Sequence, residues 1–387
     1  DLHSFPTRRS SDLVVVNSIL DKAGHCDFPL IILITILTMI GVVMVFSASY
    51  YYSINSTGTP YSYLYKQGFF VVTGFIIMMM MSYFDYHHYR KIILLLALLE
   101  VIMLLAVWSP LGETINGATR WIKIYKLSVM PGELCKAVLI LFAAAYFSAN
   151  MRRAKCLKGL LPIAIYTLLC CALIVKQPNL STALTVFAIA LGIAFIAGMQ
   201  WRYIIMMLGG AVLGVFYLFF INDGYWHSRV ASFLNPFADS LGEGFQVVQS
   251  LLALATGGVT GLGLGNSVQK NLYLPEPQND FILAIIGEEL GFVGIAAIVI
   301  LFAVTVWRLI HISINAKDNF GMLIAGGVAV MIGIQVILNI AVVTSSMPPT
   351  GVALPFISYG GNALWIFMGL IGIVLNVSRQ GGKGARQ

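Results

Sequence analysis

Residues 28–50 read FPLIILITILTMIGVVMVFSASY, with no charged side chain from end to end. A helix rises about 1.5 Å per residue and needs roughly 20 apolar residues to cross the hydrocarbon core. The stretch therefore predicts a membrane span. Similar blocks predict nine more, at 62–83, 91–109, 131–148, 160–175, 180–198, 202–221, 281–308, 321–346 and 355–378. The fifth and sixth are divided only by Gln177-Pro178-Asn179, where the proline removes a donor and disfavours helix just before it. Of 387 residues, 59% are hydrophobic and 10% charged, against about 25% charged in a soluble chain. The expected class is all-α, a polytopic integral membrane protein of about ten helices. Its backbone must be satisfied within those helices, because lipid offers no partner.

Charge gives an orientation. Arg90 and Lys91 follow the second span; Arg152, Arg153, Lys155 and Lys158 the fourth; Arg202 the sixth; Arg308 and Lys317 the eighth; Arg379, Lys383 and Arg386 the tenth. Positive loops stay inside. Both termini are thus expected in the cytoplasm of a bacterial cell, with loops 110–130 and 222–280 outside its membrane. Residues 1–13 resemble a non-native extension, and no cleavable signal peptide is visible. A cytoplasmic segment is expected at 14–27, the membrane domain at 28–378 and a cytoplasmic tail at 379–387. The long loop carries Asp223, Asp239, Glu243, Glu276 and Asp280. A loop of that length is functional more often than idle. Its apolar piece 249–255 is too short to span and suits an interfacial or re-entrant segment.

Several classes fall away. The net charge of +7 is spent on topology, and no basic run with interleaved aromatics suggests nucleic acid. Cys26, Cys135, Cys156, Cys170 and Cys171 lack zinc-site spacing and read as packing residues. The six histidines form no ligand set, so no metal site is assigned. The glycines 257, 258, 261, 263 and 265 do not make a nucleotide loop; close backbone packing or a sharp bend suits them. No internal repeat argues for an alternating-access transporter.

Four places can carry chemistry. Arg120-Trp121 in the first outer loop offers a phosphate-pairing fork beside an amphipathic ring, or simply an aromatic-belt residue with a headgroup-binding arginine. Glu133 and Lys136 open the fourth span at i, i+3 and meet on one helix face, as a functional intramembrane pair or a structural one. Asp280 stands where the long loop meets the eighth span, after Pro275-Glu276-Pro277-Gln278-Asn279. It can cap that helix or act as a general base at the membrane surface. Glu288 and Glu289 lie about 12 Å deeper and need partners, with Lys136 one candidate. Ser358 lacks a nucleophile's setting and suits a cavity wall.

Taken in order, these segments resemble the SEDS family (shape, elongation, division and sporulation proteins) over the whole chain after its first residues. The motifs are Gly117-Ala118-Thr119-Arg120-Trp121-Ile122, Pro131-Gly132-Glu133-Leu134-Cys135-Lys136 and Gln177-Pro178-Asn179-Leu180-Ser181-Thr182-Ala183. Ser232-Phe233-Leu234-Asn235-Pro236-Phe237-Ala238-Asp239, Gly261-Leu262-Gly263-Leu264-Gly265-Asn266-Ser267, the run 274–289 and Leu354-Pro355-Phe356-Ile357-Ser358-Tyr359-Gly360-Gly361 complete the set. The run 275–291 is closer to the division and sporulation branch than to the elongation branch.

The resemblance implies a peptidoglycan glycosyltransferase that polymerises lipid II, with Asp280 as its essential base. It also implies an essential tryptophan at Trp121 and an intramembrane pair at Glu133 and Lys136. Arg120, Arg229 or Lys270 would stabilise the departing pyrophosphate, with Asn279 and Ser358 completing the substrate site. No cofactor is expected beyond a divalent cation that could assist the pyrophosphate. A class B penicillin-binding protein and other division proteins are the implied partners. A lipid II flippase or a division scaffold is the alternative. Asn179, Ser181 and Asn362 depart from the residues common in the family, which are Asp, Gly and Ser.

Overall fold

A computed structural model describes residues 26–115, 118–124, 127–220, 233–237, 242 and 244–381. The expectations for 1–13 and most of 14–27, for Arg229, and for Asp223, Asp239 and Glu243 lie outside the described residues.

Each expected span coincides with a helix. These are α1 (Phe28–Thr57), α2 (Ser62–Tyr83), α3 (His87–Ala106), α4 (Pro131–Ala149), α5 (Leu157–Lys176), α6 (Leu180–Ile196) and α7 (Trp201–Phe220). After the short α8 (Phe245–Gly257) come α9 (Ile282–Ile314), α10 (Asn319–Val343) and α11 (Gly361–Gly381). Seven of them, α1, α2, α4, α5, α9, α10 and α11, are long and apolar enough to cross a membrane. α6 is a shorter apolar helix, and α3 carries Arg90, Lys91 and Glu100. The predicted apolar segment 249–255 lies within α8, which packs on α9.

The ends of α1 show why the chain starts and stops helices where it does. Asp27 accepts from the Leu30 N–H, Pro29 occupies the first turn, and Gly58 closes the helix in the left-handed region at φ 74°. These are the residues that the ends of a helix favour. Asp27 also takes a two-pronged contact from Arg308 at the far end of α9, with Nη2 to Oδ2 at 2.8 Å. Tyr86, Asp318 and Asn376 meet at this same end, where the basic loops gather.

α4, α10 and α11 form the interior and are more than half buried along their apolar stretches. α2 is far less buried and turns Phe69, Val72, Ile76 and Met80 outward, as lipid allows. α11 runs along α2, and α10 packs on α4, α6 and α9.

The first outer loop departs from a purely helical expectation. It folds as a three-stranded antiparallel sheet, β1 (Gly112–Ile115), β2 (Ala118–Ile124) and β3 (Leu127–Val129), in that spatial order. Within β2 only Ile122-Lys123-Ile124 alternates apolar and polar side chains, the period of a strand with two unlike faces.

α9 contains a splice. Gly291 breaks it at φ 68°, ψ −167°, so the carbonyls of Glu288 and Glu289 lose their helical donors. Leu262 N and Gly263 N donate to them instead, at 3.0 and 2.9 Å. The released N–H groups of Phe292 and Val293 donate to Gly258 O and Val259 O. A Cβ at Gly261 would lie 2.2 Å from Glu289 O, and one at Gly257 2.0 Å from Gly287 O. Backbone packed on backbone is thus what the glycine run achieves.

Candidate functional site

The end of the molecule opposite the basic loops gathers most of the expected site. Asp280 is half-buried in the turn before α9. Phe281, not Asp280, holds the cap position of that helix and makes no side-chain cap bond. The approach is tightly folded. Asn279 N and Nδ2 donate to Glu276 O and Oε2 at 3.0 and 2.9 Å. Gln278 O accepts from Tyr359 N at 2.9 Å, which joins the turn to the strap between α10 and α11. Tyr359 itself is pushed up from the usual phenol range by burial.

That strap reaches Asp280 through Gly351. Its φ is +65°, and a Cβ added there would stand 2.9 Å from Asp280 Oδ2. The carboxylate therefore faces backbone that no side chain shields. Ser181 Oγ donates to Thr350 O. Asn179 caps α6 by accepting from Thr182 N at 3.2 Å. Asn339 Nδ2 donates to both Asp280 O and Val352 O. A small polar slot beside the strap is lined by Glu133, Ser181, Thr185, Gln335 and Gly351. The slot brings the fourth-span carboxylate close to the wall that faces Asp280.

Glu133 and Lys136 pair as their spacing predicts, at 2.6 Å, with Lys136 1% exposed and Glu133 13%. The Lys136 ammonium also lies 5.7 Å from the centre of the Phe367 ring. Lys136 is therefore not the partner of the deeper glutamates. Lys270 pairs with Glu289 instead, at 2.9 Å. It also donates to Ser47 Oγ at 3.1 Å and Gly265 O at 2.6 Å. An ammonium has three protons, and here all three are engaged inside the protein. These internal contacts weigh against the expectation that Lys270 meets pyrophosphate. Glu288 accepts from Ser267 Oγ and from the N–H groups of Val268 and Gln269.

The remaining candidates are placed as follows. Arg120 is on β2, with Nε donating to Gln177 O at 3.1 Å and Nη2 to Pro178 O. It clasps the turn that precedes α6, and Pro178 adopts a positive φ there. Trp121, its neighbour, is half-buried and pairs across the sheet with Glu113. Hydrogen bonds from Ser128 and then Lys123 hold the Glu113 carboxyl below its usual range. Ser358 is buried and accepts from Leu354 N at 2.8 Å, closing the turn that leads into α11. Asn362 donates to Ser128 O, which ties α11 to β3. Among the described residues no group of three or more His, Cys, Asp or Glu side chains could hold a metal ion, and all five cysteines are free.

Sequence reasoning missed Asn339 and Gly351. Asn339 had a signal: an amide alone in the apolar run 336–342 must find partners within the bundle. Gly351 had none, because its role depends on a neighbour seventy-one positions away.

The class is thus a multi-pass helical membrane protein with a half-buried carboxylate at one mouth of its bundle. The chain belongs to the cell cycle protein family that unites FtsW, RodA and SpoVE, whose model matches residues 28–383. It is 39% identical over 356 residues to "Probable peptidoglycan glycosyltransferase FtsW" of Geobacter sp. (strain M18), covering 91% of this chain and 96% of that one. It is 38% identical to the stage V sporulation protein E of Bacillus subtilis (strain 168), covering 92% and 98%. A solved chain from a peptidoglycan synthase complex that coordinates polymerization and crosslinking aligns with TM-score 0.76 at 28% identity, over 92% and 98% of the two chains. The rod shape determining protein RodA of Thermus thermophilus shares the fold, with TM-score 0.67 at 24% identity over 92% and 97%.

Proposed function

We propose that this protein is a peptidoglycan glycosyltransferase that polymerises lipid II at the outer face of a bacterial cytoplasmic membrane, with Asp280 as general base. The observation that carries the reading is the half-buried Asp280 carboxylate, set against bare Gly351 backbone at the mouth of α9. Relatives named as peptidoglycan glycosyltransferases support it.

The step balances simply. The acceptor sugar hydroxyl gives its proton to Asp280 as its oxygen bonds to the anomeric carbon of the donor. The bond from that carbon to the pyrophosphate oxygen breaks on the opposite face, and the polyprenyl pyrophosphate leaves with the electron pair. One displacement inverts the anomeric centre. Hydrolases protonate a poor leaving group with a second carboxylic acid. Pyrophosphate leaves unaided once its charge is stabilised, so one carboxylate suffices. Arg229 and Arg120 are the basic groups assigned to that stabilisation, ahead of Lys270, whose ammonium is held by Ser47, Gly265 and Glu289. Trp121 and Asn279 border the substrate. Both termini are cytoplasmic in this reading. A class B penicillin-binding protein is the partner, consistent with the synthase complex to which the chain is similar.

Asp280→Asn keeps the side-chain volume but cannot take the proton. Conversion of purified lipid II to glycan strands, with partner present, is expected to fall by about 10²–10⁴-fold while lipid II binding and thermal stability persist. Near-normal polymerisation by the variant would remove Asp280 from the mechanism. Lipid II translocation in vesicles, with no polymer from the unaltered protein, would turn the reading to a flippase.

A further inference from the structure

Asn339 lies on α10 and is 0% exposed. Its Nδ2 donates to Asp280 O at 2.9 Å and to Val352 O at 2.6 Å. Both acceptors are backbone carbonyls, so the two N–H protons are committed and the amide can face only one way. Its Oδ1 is buried with no hydrogen-bond partner. A residue there only to fill space would need no amide, since leucine has nearly the same bulk and leaves no polar atom orphaned. The amide is therefore there for its two donors.

Those donors join the two parts that define the base. One accepting carbonyl belongs to Asp280 itself. The other belongs to Val352, next to the Gly351 backbone that faces Asp280 Oδ2. Ser181 holds the same strap one residue further on, at Thr350 O. The main chain of the base and the wall facing its carboxylate thus hang from one side chain on a rigid, buried helix.

We infer that Asn339 is a positioning residue for the glycosyl transfer, a two-armed clamp that fixes the Asp280 peptide against the 350–352 strap. The inference rests on the reading of Asp280 as general base. Asn339 touches no substrate and acts through Asp280 alone. A base moved by about 1 Å loses on the order of 10²-fold in rate, while the substrate still binds to surfaces the clamp does not touch.

The test compares Asn339→Thr, which keeps one donor, with Asn339→Leu, which keeps none. Lipid II polymerisation is measured with the partner present, alongside detergent melting and monodispersity. The expected result is a graded fall in kcat, roughly 10-fold for threonine and 100-fold for leucine, with KM for lipid II within about twofold. A folded variant with kcat within twofold of the unaltered protein overturns the inference. So does a fall in kcat matched by the same fall in folded fraction, or failure of both variants to fold. If only the leucine variant fails to fold, the threonine variant decides. Asp280→Asn, run in parallel, separates the two levels. Its activity surviving sinks the base and the clamp together, whereas its activity lost beside unaffected Asn339 variants sinks the clamp alone.

Discussion

Gly351 and Gly58 both adopt a left-handed backbone, at φ 65° and 74°, and a Cβ at either is strained by about 1–2 kcal/mol. They differ in what that Cβ would meet. At Gly58 there is open space, and at Gly351 there is the Asp280 carboxylate at 2.9 Å. Gly58→Ala is therefore expected to lower the melting temperature slightly and leave polymerisation intact. Gly351→Ala is expected to lose most polymerisation for a similar change in melting. Equal activities in the two variants would show that the strap does not set the carboxylate. At this scale the sequence spoke unevenly. The Glu133–Lys136 pair was legible, since a charge beside hydrocarbon announces itself, whereas the position of Asp280 alone left cap and base both open and its role as base came from the resemblance. The internal contacts of Lys270 were not legible, because its partners Ser47 and Glu289 lie 223 and 19 positions away.

Among the helices, α4 tests the burial of charge. Removing one member of a buried pair strands the other, at about 3–5 kcal/mol. Glu133→Gln leaves the Lys136 ammonium at 1% exposure without its counter-charge. Combining it with Lys136→Met is expected to recover much of the loss in detergent melting. Three variants that melt alike would show that the pair carries no coupling. The α2–α3 corner makes a different prediction. Burial opposes ionisation of Asp85, but hydrogen bonds from the His87 ring and N–H and from Gln380 outweigh it and lower the group to about 2. A carboxylate depressed on folding adds stability above its ordinary value, near 3.9, and loses it as pH falls toward 2. Asp85→Asn should therefore flatten the acid limb of the melting profile between about pH 4 and 2, and an unchanged limb would count against these bonds. The helices were legible from apolar length alone. The sheet was overlooked, although Asn116-Gly117 between Ile115 and Ala118 is a strong hairpin signal in sequence. In a chain this apolar, an alternation as short as Ile122-Lys123-Ile124 is easily lost among spans.

For the molecule as a whole, orientation rests on the basic loops, whose residues gather at the end where Asp27 meets Arg308 and Tyr86 meets Asp318. With native cysteines removed, an impermeant thiol reagent applied to intact cells should label a cysteine at Leu264 and spare one at Asn150. The reverse pattern would invert the protein and put Asp280 on the wrong face for wall synthesis. The ten expected spans and their order could be read from hydropathy. The way α4, α10 and α11 come together inside could not, because burial by lipid and burial by protein look alike in an apolar sequence.

The splice at Gly291 also governs which changes of length the chain can absorb. Four backbone hydrogen bonds fasten residues 258–263 to 288–293 like rungs, so one residue added or deleted between 259 and 262 puts the two pairs of rungs out of step with each other. Outer loops ordinarily grow and shrink freely. This one is a ruler, and variation in loop length among related chains should fall elsewhere between α7 and α9, leaving the stretch 258–263 the same length.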